Sequence, residues 1–499
     1  MYICFRLKPT FLGFLAVFGL GNIISALAKS SNMVIAGRVV AGVGASGLTN
    51  GALVIMTTVT PPKFRPIATN LGLSVVSIGS IFGPLIGGAL TQHAGWQWCF
   101  WAFLPPLAFV MLVASLLRIP DQCPKKPALQ TILSLHTHLD LVGFAFFAPA
   151  CILFLIAISW GGTTHPWGSD IVIAFLCGSV VLLGLLYAWC RSRGDDAILP
   201  PRLLAGRTLL VGSVVMGLQG GATVMMGYYL STWFQAVKGA GPTAAGVMML
   251  PSTVSQIVGS LVAGALVRKL HYLPPWAIVG SMLTAIGSGL MVTFDRQTSS
   301  ARWIGYQIIA GLGRGVASSM PTLAAQDALS LPDFTIATAT LALCQFFAGS
   351  VAISVGGAIF HNNLQPALAR HAPGVDVSVV VNMGATHLGR EVPAELLEGV
   401  LAAYNEALVK VFYVTAATAT VAAVLSFWFS WDRIGLSDKM VMDEVQSAKE
   451  MELPSMCDIG RVNSNLDSGS VQVNHLGIRS RSRSKNRDRS RGGSTRERQ

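Results

Sequence analysis

Long apolar runs recur along the whole chain, and they constrain its fold more than any other feature. A helix needs about 20 mostly apolar residues to cross a hydrocarbon layer about 30 Å thick. Backbone N–H and C=O groups cannot stay unpaired in lipid, so runs of this length predict helices. Twelve spans meet the requirement: 11–28, 33–57, 67–90, 99–117, 141–159, 171–190, 208–231, 244–267, 276–294, 303–325, 338–360 and 408–431. The sequence therefore predicts an all-α, polytopic membrane protein.

Charged residues are scarce in this chain. They make up 12% of its 499 residues, about half the share that is typical of soluble domains, and 52% of the residues are hydrophobic. This composition excludes a soluble enzyme, a disordered chain and a disulfide scaffold. The eight cysteines include no CxxC pair, which favours apolar filling over a metal site. The spans contain neither a Ser-His-Asp set nor paired carboxylates, so we predict no enzymatic activity, no metal and no cofactor.

Basic residues in the short loops predict the orientation of the chain, because cytoplasmic loops carry an excess of Lys and Arg. With the amino terminus inside, the inner loops hold thirteen of these residues and the outer short loops hold four. Both termini are therefore predicted to be cytoplasmic, and the loop 361–407 to be external. Arg6 and Lys8 precede the first span, and residues 26–28 (ALA) resemble a cleavage site, so a cleaved signal peptide is the alternative for this segment.

The carboxyl-terminal tail accounts for most of the net charge. Residues 479–499 hold nine Lys and Arg against Asp488 and Glu497, which gives +7 of the total of +12 and leaves +5 for the remaining chain. The tail 432–499 is rich in polar residues without apolar periodicity, and it predicts a disordered cytoplasmic segment. Alternating Arg and Ser are also compatible with RNA binding or with docking on anionic lipid. Nothing else in the sequence supports a nucleic-acid partner.

Two short motifs resemble ligand sites but have simpler interpretations. Residues 42–47 (GVGASG) satisfy the GxGxxG string, yet they lie inside an apolar helix and no acidic residue precedes Asp121. We interpret them as small residues at a helix contact. His136, His138 and Asp140 suggest a metal site, but no second cluster completes the ligand set. A solvated loop before a span is the simpler interpretation.

Two features inside the predicted spans carry more information. Arg38 lies within 33–57, four residues before Gly42. An arginine in an apolar helix normally faces a partner or a water-filled cavity, and an interfacial position near the helix start is the alternative. Proline kinks a helix, and glycines at i, i+4 and i+8 predict a flat face against a neighbour. The span 67–90 holds both, at Gly79, Gly83, Pro84, Gly87 and Gly88.

Together these features resemble signatures of major facilitator superfamily exporters. The arginine motif is similar to RxxxGxG of the family's fourth helix, and the proline motif to GxxxGPxxGG of its fifth, which is associated with drug:proton antiporter branches. Residues 95–98 (GWQW) and Pro105 resemble the passage GWRWxFxxxxP, with Gln for Arg. The resemblance covers about residues 2–431. Further segments similar to fungal fourteen-helix exporters of toxins and drugs begin at Trp160, Trp233, Gly246 and Gly305.

The resemblance implies a major facilitator fold, in which two helix bundles rock about a central site. The family usually has fourteen helices, and the two signatures fall here on the second and third of twelve predicted helices. The sequence therefore resembles a fourteen-helix transporter that lacks its first two helices. The first helix of this branch usually bears an aspartate that is implicated in proton coupling. No predicted span contains a clearly intramembrane Asp or Glu, so either an upstream segment exists or coupling uses another route.

The same resemblance divides the chain into four parts. Residues 1–118 would form an incomplete amino-terminal bundle of four helices, and residues 119–207 a linker with two extra helices. Residues 208–431 would form a carboxyl-terminal bundle of six helices that includes the external loop 361–407. The tail 432–499 follows.

Amides and aromatic residues of the carboxyl-terminal bundle are candidates for lining a substrate cavity. Arg314 stands out among them, because the family usually has an apolar residue at this mid-span position. We expect Arg314 to face the cavity and to favour an anionic or polar substrate, with snorkelling as the alternative. For each of the others, helix packing or lipid contact is the alternative. The candidates are Gln219, Met225, Tyr228, Tyr229, Trp233, Gln256, Gln307, Arg314, Gln345 and Phe346.

The sequence thus predicts a multi-pass transporter that exports small amphipathic organic compounds, such as toxins, secondary metabolites or drugs, by proton antiport. Its expected partners are the lipid bilayer, a small-molecule substrate and protons. We expect it in the plasma membrane, with the vacuolar membrane as the alternative. An importer of a small ligand such as an iron chelate, or a truncated, non-transporting scaffold or sensor, are the alternative functions.

Overall fold

A computed structural model of the chain shows an almost entirely helical backbone in the part that it describes. An isolated β-bridge between Gly161 and His165 is the exception there. The predicted tail 432–499, and the histidines of the proposed metal motif, His136 and His138, lie outside the described residues. The structure describes residues 5–60, 79, 82–117, 140–162, 164–194, 197–198, 200–329, 331–373, 375 and 392–431.

Twelve helices of the described chain are labelled α1 to α12. A further helical segment, 82–93, lies between α2 and α3, and single turns occur at Trp98–Trp101 and Pro201–Leu204. The labelled helices are α1 (Leu7–Ala26), α2 (Ser31–Val59), α3 (Leu104–Leu116), α4 (Leu141–Trp160), α5 (Asp170–Arg193), α6 (Arg207–Ala236), α7 (Pro242–Met248), α8 (Leu250–Leu270), α9 (Pro274–Met291), α10 (Ser300–Ala328), α11 (Leu331–His371) and α12 (Ala394–Ser426).

The predicted spans are helical wherever the structure describes them. Eight helical stretches of the described chain are long and apolar enough to cross a membrane, and each matches a predicted span. Three more predicted spans correspond to α2, α9 and α10, which have 29, 18 and 29 residues but contain more Gly, Ser and Thr. The remaining one, 67–90, is described only at Gly79 and from Phe82 onward. The prediction of a polytopic, all-α fold is confirmed.

Helix contacts gather α1 to α3 in one group and α6 to α12 in another. In the first group α1 packs against α2 and α3, and in the second α6 contacts α10, α11 and α12. Leu230, Trp233 and Phe234 near the end of α6 are completely buried. Between the two groups, α4 and α5 pack on each other and α4 also contacts α11. The proposed domain boundaries remain predictions.

The GxGxxG string lies inside α2 and packs against α1, as its interpretation as a helix contact requires. A Cβ atom added to Gly44 would lie 2.7 Å from Cβ of Phe18, and one added to Gly47 would overlap the ring of Phe14. The close approach of α1 to α2 therefore requires glycine, which has no side chain, at both positions. Gly42 has open space beside it.

The predicted external loop 361–407 was too long, because helices occupy both of its ends. Helix α11 continues to His371, and α12 begins at Ala394. The two extensions pack on each other through buried Leu368 and Tyr404, and Glu406 accepts hydrogen bonds from Arg370 at 2.8 Å and pairs with His371 at 3.1 Å. The extensions carry charged residues such as Arg370 and Glu406, so the apolar runs from which the spans were predicted end before them.

A buried polar chain ties α6 to α12 and to the end of α9. The indole Nε1 of Trp233 donates to Oδ1 of Asn405 at 2.7 Å, and Nδ2 of Asn405 donates to the carbonyl of Phe294 at 3.0 Å. Trp233 has no exposed surface, and Phe294 has 3%. The indole N–H of Trp233 and the carbonyl of Phe294 therefore both depend on Asn405 for a hydrogen-bond partner.

Replacing Asn405 with Ala should destabilise the protein. It would leave the Trp233 indole N–H and the Phe294 carbonyl unpaired, which costs about 1–3 kcal/mol of unfolding free energy for each buried group. Thermal unfolding of the purified protein in detergent measures this effect. Asn363→Ala is the matched control, because the Asn363 amide donates only to Ile359, on its own helix. Equal shifts in the two variants would contradict the prediction.

Asp140 caps α4 and fastens it to the segment after α5. Its carboxylate accepts the N–H of Gly143 at 2.8 Å, the indole N–H of Trp189 at 2.7 Å and the N–H of Ile198 at 2.9 Å. Burial alone would raise the pKa of Asp140, but these hydrogen bonds and the nearby charge of Arg193 lower it below the ordinary value. Among the described residues, the Asp140 carboxylate therefore acts as a helix cap and as a hydrogen-bond acceptor between elements.

Asp140→Asn should lower thermal stability at neutral pH, on the order of 2 °C, because an amide accepts fewer and weaker hydrogen bonds. A carboxyl whose pKa is depressed by folding stabilises the protein above its unfolded pKa of about 4, and this contribution is lost as pH falls through the folded pKa. The gap between wild type and variant should therefore shrink from pH 7 to pH 3. Asp170→Asn, at an exposed carboxylate, is the control, and a gap independent of pH would refute the assignment.

Candidate functional site

The segment 82–93 and α7 contact each other through backbone atoms. A Cβ atom added to Gly246 would lie 2.6 Å from the carbonyl oxygen of Pro84, and one added to Gly88 would overlap the carbonyl of Pro242. The two elements run in opposite directions, since the contact moves from Gly246 to Pro242 as it moves from Pro84 to Gly88. Oε1 of Gln92 also accepts the N–H of Thr243 at 3.3 Å. This contact joins the helices before the α4–α5 pair to those after it.

The flat glycine face predicted for this segment stays a prediction. Gly79, Gly83 and Gly87 have no atom of the described residues within 4 Å of an added Cβ, whereas Gly88 touches α7. Successive helical residues point about 100° apart, so the contact lies beside the i, i+4, i+8 row and not on it. Pro84 takes part through its carbonyl oxygen.

Arg38 is exposed on α2, and its guanidinium lies 5.7 Å from the centroid of the Phe100 ring. A guanidinium above an aromatic ring is attracted to the negative face of the ring's quadrupole. Among the described residues, Arg38 therefore contacts an aromatic ring in the turn before α3. Its position within the membrane stays a prediction.

Three of the cavity candidates on α6 serve in helix packing. Nε2 of Gln219 donates to Oγ of Ser281 at 2.8 Å, the hydroxyl of Tyr229 donates to the carbonyl of Ile353 at 3.1 Å, and Trp233 bonds to Asn405. All three side chains are buried, as is Met225, and their described polar contacts are with neighbouring helices.

Gln256 on α8 and Gln345 on α11 are half-buried and keep part of their surface accessible. Cγ of Gln345 would lie 2.6 Å from a Cβ added to Gly220, so this glutamine packs across α6. Tyr228 and Phe346 are exposed, Phe346 by 73%.

Gln307 and Arg314 both face a break between α7 and α8. The chain turns at Met249, and Pro251 near the start of α8 has no N–H to continue the helical hydrogen bonds. Nε2 of Gln307 donates to the carbonyl of Met248 at 3.0 Å. The Nη2 atom of Arg314 donates to Oγ of Ser252. Two residues of α10 thus hold the two sides of the break.

Close packing of α8 and α10 buries Arg314. The carbonyl oxygen of Ser252 would lie 2.5 Å from a Cβ added to Gly311, and the N–H nitrogen of Ser260 would lie 2.8 Å from one added to Gly315. The side chain of Arg314 is 3% exposed. Arg314 therefore lies within the packing of α8 and α10 and not at an exposed helix end. Its expected position facing a substrate cavity stays a prediction.

Sequence reasoning missed the break and two of its residues, Met248 and Ser252. Pro251 was the available signal, because a proline inside an apolar run marks an interruption of helical hydrogen bonding. The partners Gln92 and Pro242 were also missed, since nothing local in the sequence indicates which helices meet.

Comparisons with known proteins identify the relatives of this chain. A family model described as Major Facilitator Superfamily matches residues 4–356. The chain is 39% identical over 434 residues to "MFS-type transporter pigP" of Monascus ruber, covering 87% of this chain and 76% of that protein. It is 38% identical over 435 residues to "MFS-type efflux pump MFS1" of Trichophyton rubrum, covering 87% and 81% of the two proteins.

A solved structure shares the fold at low sequence identity. It is a bacterial homolog of the human lysosomal transporter Spinster, in an inward-facing, unoccupied conformation. The TM-score is 0.58 at 14% identity, and the match covers 87% of this chain and 86% of the other. At this identity the likeness concerns the fold alone.

Gly88→Leu should destabilise the contact between the segment 82–93 and α7, because a side chain there meets the backbone of Pro242. Forcing extra carbon atoms into a packed contact costs about 1–3 kcal/mol. Gly87→Leu is the matched control, since the neighbouring glycine has open space and the same helical backbone. Thermal unfolding in detergent should show a clearly larger loss for Gly88→Leu, and equal losses would contradict the described contact.

Proposed function

Because the chain belongs to the major facilitator superfamily, we propose that it exports small amphipathic organic compounds, such as secondary metabolites, toxins or drugs, from a fungal cell. The observation that carries this proposal is the similarity to proteins named efflux pumps. One from Trichophyton rubrum and another from Penicillium citrinum are 38% and 37% identical to this chain and match 87% of it. The direction named for these relatives favours export over import.

Alternating access is the mechanism that we propose for this export. Two helix groups that rock about a central site must be able to separate and close again. The contact between the segment 82–93 and α7 suits this requirement, because among the described residues it includes backbone surfaces at Gly88 and Gly246 and a hydrogen bond from Thr243 to Gln92. At the two glycines no side chain has to be withdrawn when the contact opens.

Half-buried amides and exposed aromatic rings would line the path of the substrate. Gln256 and Gln345 offer both donors and acceptors, and Tyr228 and Phe346 offer apolar faces. Such a surface can bind compounds of varied shape, because amides adapt their hydrogen bonds and rings supply non-directional contact. We assign Gln219, Tyr229 and Trp233 a supporting role in packing α6.

Proton antiport is the energy source that we propose, since the proline-glycine signature is typical of drug:proton antiporters. Exchange needs a group that titrates. The plasma membrane, with both chain ends in the cytoplasm, is the location that fits export and the distribution of basic loop residues.

Dye accumulation in yeast cells that lack their own pumps tests the direction of transport. Expression of the chain should lower the steady-state content of Nile red, a neutral amphipathic dye, at least twofold, and a protonophore should cancel the difference. An importer would raise the dye content, and a scaffold would leave it unchanged.

Deleting residues 432–499 separates transport from a role of the tail. An exporter built on α1 to α12 should retain most of its dye efflux without the tail, at equal abundance in the membrane. Loss of the whole effect would favour a scaffold or sensor that acts through its basic tail.

A further inference from the structure

The interior of the helices after the α4–α5 pair contains a buried positive charge with no acidic partner among the described residues. Arg314 lies at the midpoint of α10, 14 residues from Ser300 and 14 residues from Ala328. No Asp or Glu occurs between residues 207 and 294 or between Asp295 and Asp327. The ion pairs found among the described residues join Arg202 to Asp333, Arg296 to Glu398, and Arg370 and His371 to Glu406, and they do not include Arg314.

The hydrogen-bonding capacity of Arg314 is largely unused. A guanidinium has five N–H donors. One goes to Oγ of Ser252, and the buried Nε has no described partner. About 21 Å of helix separates Arg314 from each end of α10, so its side chain cannot bring the charge to the membrane surface. An uncompensated buried charge costs several kcal/mol, which makes an external anion a natural partner.

The start of α8 adds a second feature that favours an anion. Ser252 is the third residue of this helix of 21 residues, and Arg314 is directed at its hydroxyl. The amino-terminal end of a helix carries partial positive charge and unpaired N–H groups. The opposing carbonyl at the break, that of Met248, accepts the amide of Gln307, which offsets part of its negative charge. A buried guanidinium and a helix start therefore meet at one point.

We propose that the exported compounds carry a carboxylate, and that Arg314, with the start of α8, binds it. The inference rests on the proposed export function and specifies its substrate class. Arginine is the residue best suited to this role, because its planar fork forms two parallel hydrogen bonds with a carboxylate. Entry of the carboxylate takes place when α8 and α10 are accessible from one side of the membrane, and closure returns Arg314 to the buried position described here.

Transport of a matched pair of dyes tests the proposal. Inside-out membrane vesicles from yeast that expresses the full chain are supplied with dansyl-leucine, which has a carboxylate, or with dansyl-leucinamide, which is neutral. Arg314→Gln should slow uptake of the acid at least tenfold and leave uptake of the amide within twofold. Arg314→Lys should retain intermediate uptake of the acid, because it keeps the charge but loses the planar fork. Arg302→Gln, an exposed position on the same helix, should change neither.

The outcomes separate this inference from the proposed function. If wild type moves the amide but not the acid, or if Arg314→Gln slows both dyes equally at equal abundance, the carboxylate assignment is overturned and export stands. If wild type moves neither dye, both proposals fail.

If the Arg314→Gln variant does not accumulate in the membrane, dye binding to the purified wild-type protein tests the proposal instead. Dansyl-leucine should raise the unfolding temperature of the purified protein more than dansyl-leucinamide does, both in chloride and in methanesulfonate buffer, neither of which contains a carboxylate. Equal shifts from the two dyes, or a shift from chloride alone, would show that Arg314 holds no substrate carboxylate.

Discussion

A chain in lipid must pair its backbone carbonyls without water, and this requirement governs the ends and breaks of the helices described here. The last carbonyls of a helix have no partner within it. In this protein, side chains from other helices supply the donor. Lys8 of α1 donates to Leu117 after α3, Arg207 of α6 donates to Trp428 after α12, and Asn405 of α12 donates to Phe294 after α9. Gln307 does the same for Met248 at the end of α7.

These donors also explain how charge is placed in the protein. Lys8 is half-buried and Arg207 is exposed. Each contacts the carboxyl-terminal end of a neighbouring helix, and such an end carries partial negative charge that favours a cation. The interior contacts use neutral amides instead, which bond a carbonyl without the cost of burying a charge. Arg314 departs from this pattern, because it is a cation that is buried and bonded to a hydroxyl. This buried, uncompensated charge is the physical reason for proposing that Arg314 binds a ligand and does not serve only in packing.

The sequence predicted the elements that depend on local composition and missed those that depend on which helices meet. Apolar runs located the spans, because length and hydropathy are read from consecutive residues. The extensions of α11 and α12 were missed, since Leu368, Tyr404 and Glu406 acquire their roles only when the two helices lie side by side. Gly87 and Gly88 are adjacent and alike in sequence, yet only the rotation of the helix decides which of them touches Pro242. Arg314 was recognisable as unusual, but its partner Ser252 was not.

Helix α7 links the contact of the two helix groups to the buried arginine. It touches the segment 82–93 at Pro242 and Gly246, and within a few residues it ends at the break where Gln307 and Arg314 bind Met248 and Ser252. A helix of seven residues is about 10 Å long, so the two places cannot move independently unless the break bends. In the proposed alternating access, separation of the groups would therefore act first on the turn at Met249. The hydrogen bond from Gln307 to Met248 would limit that bending and so link the opening of the contact to the surroundings of Arg314.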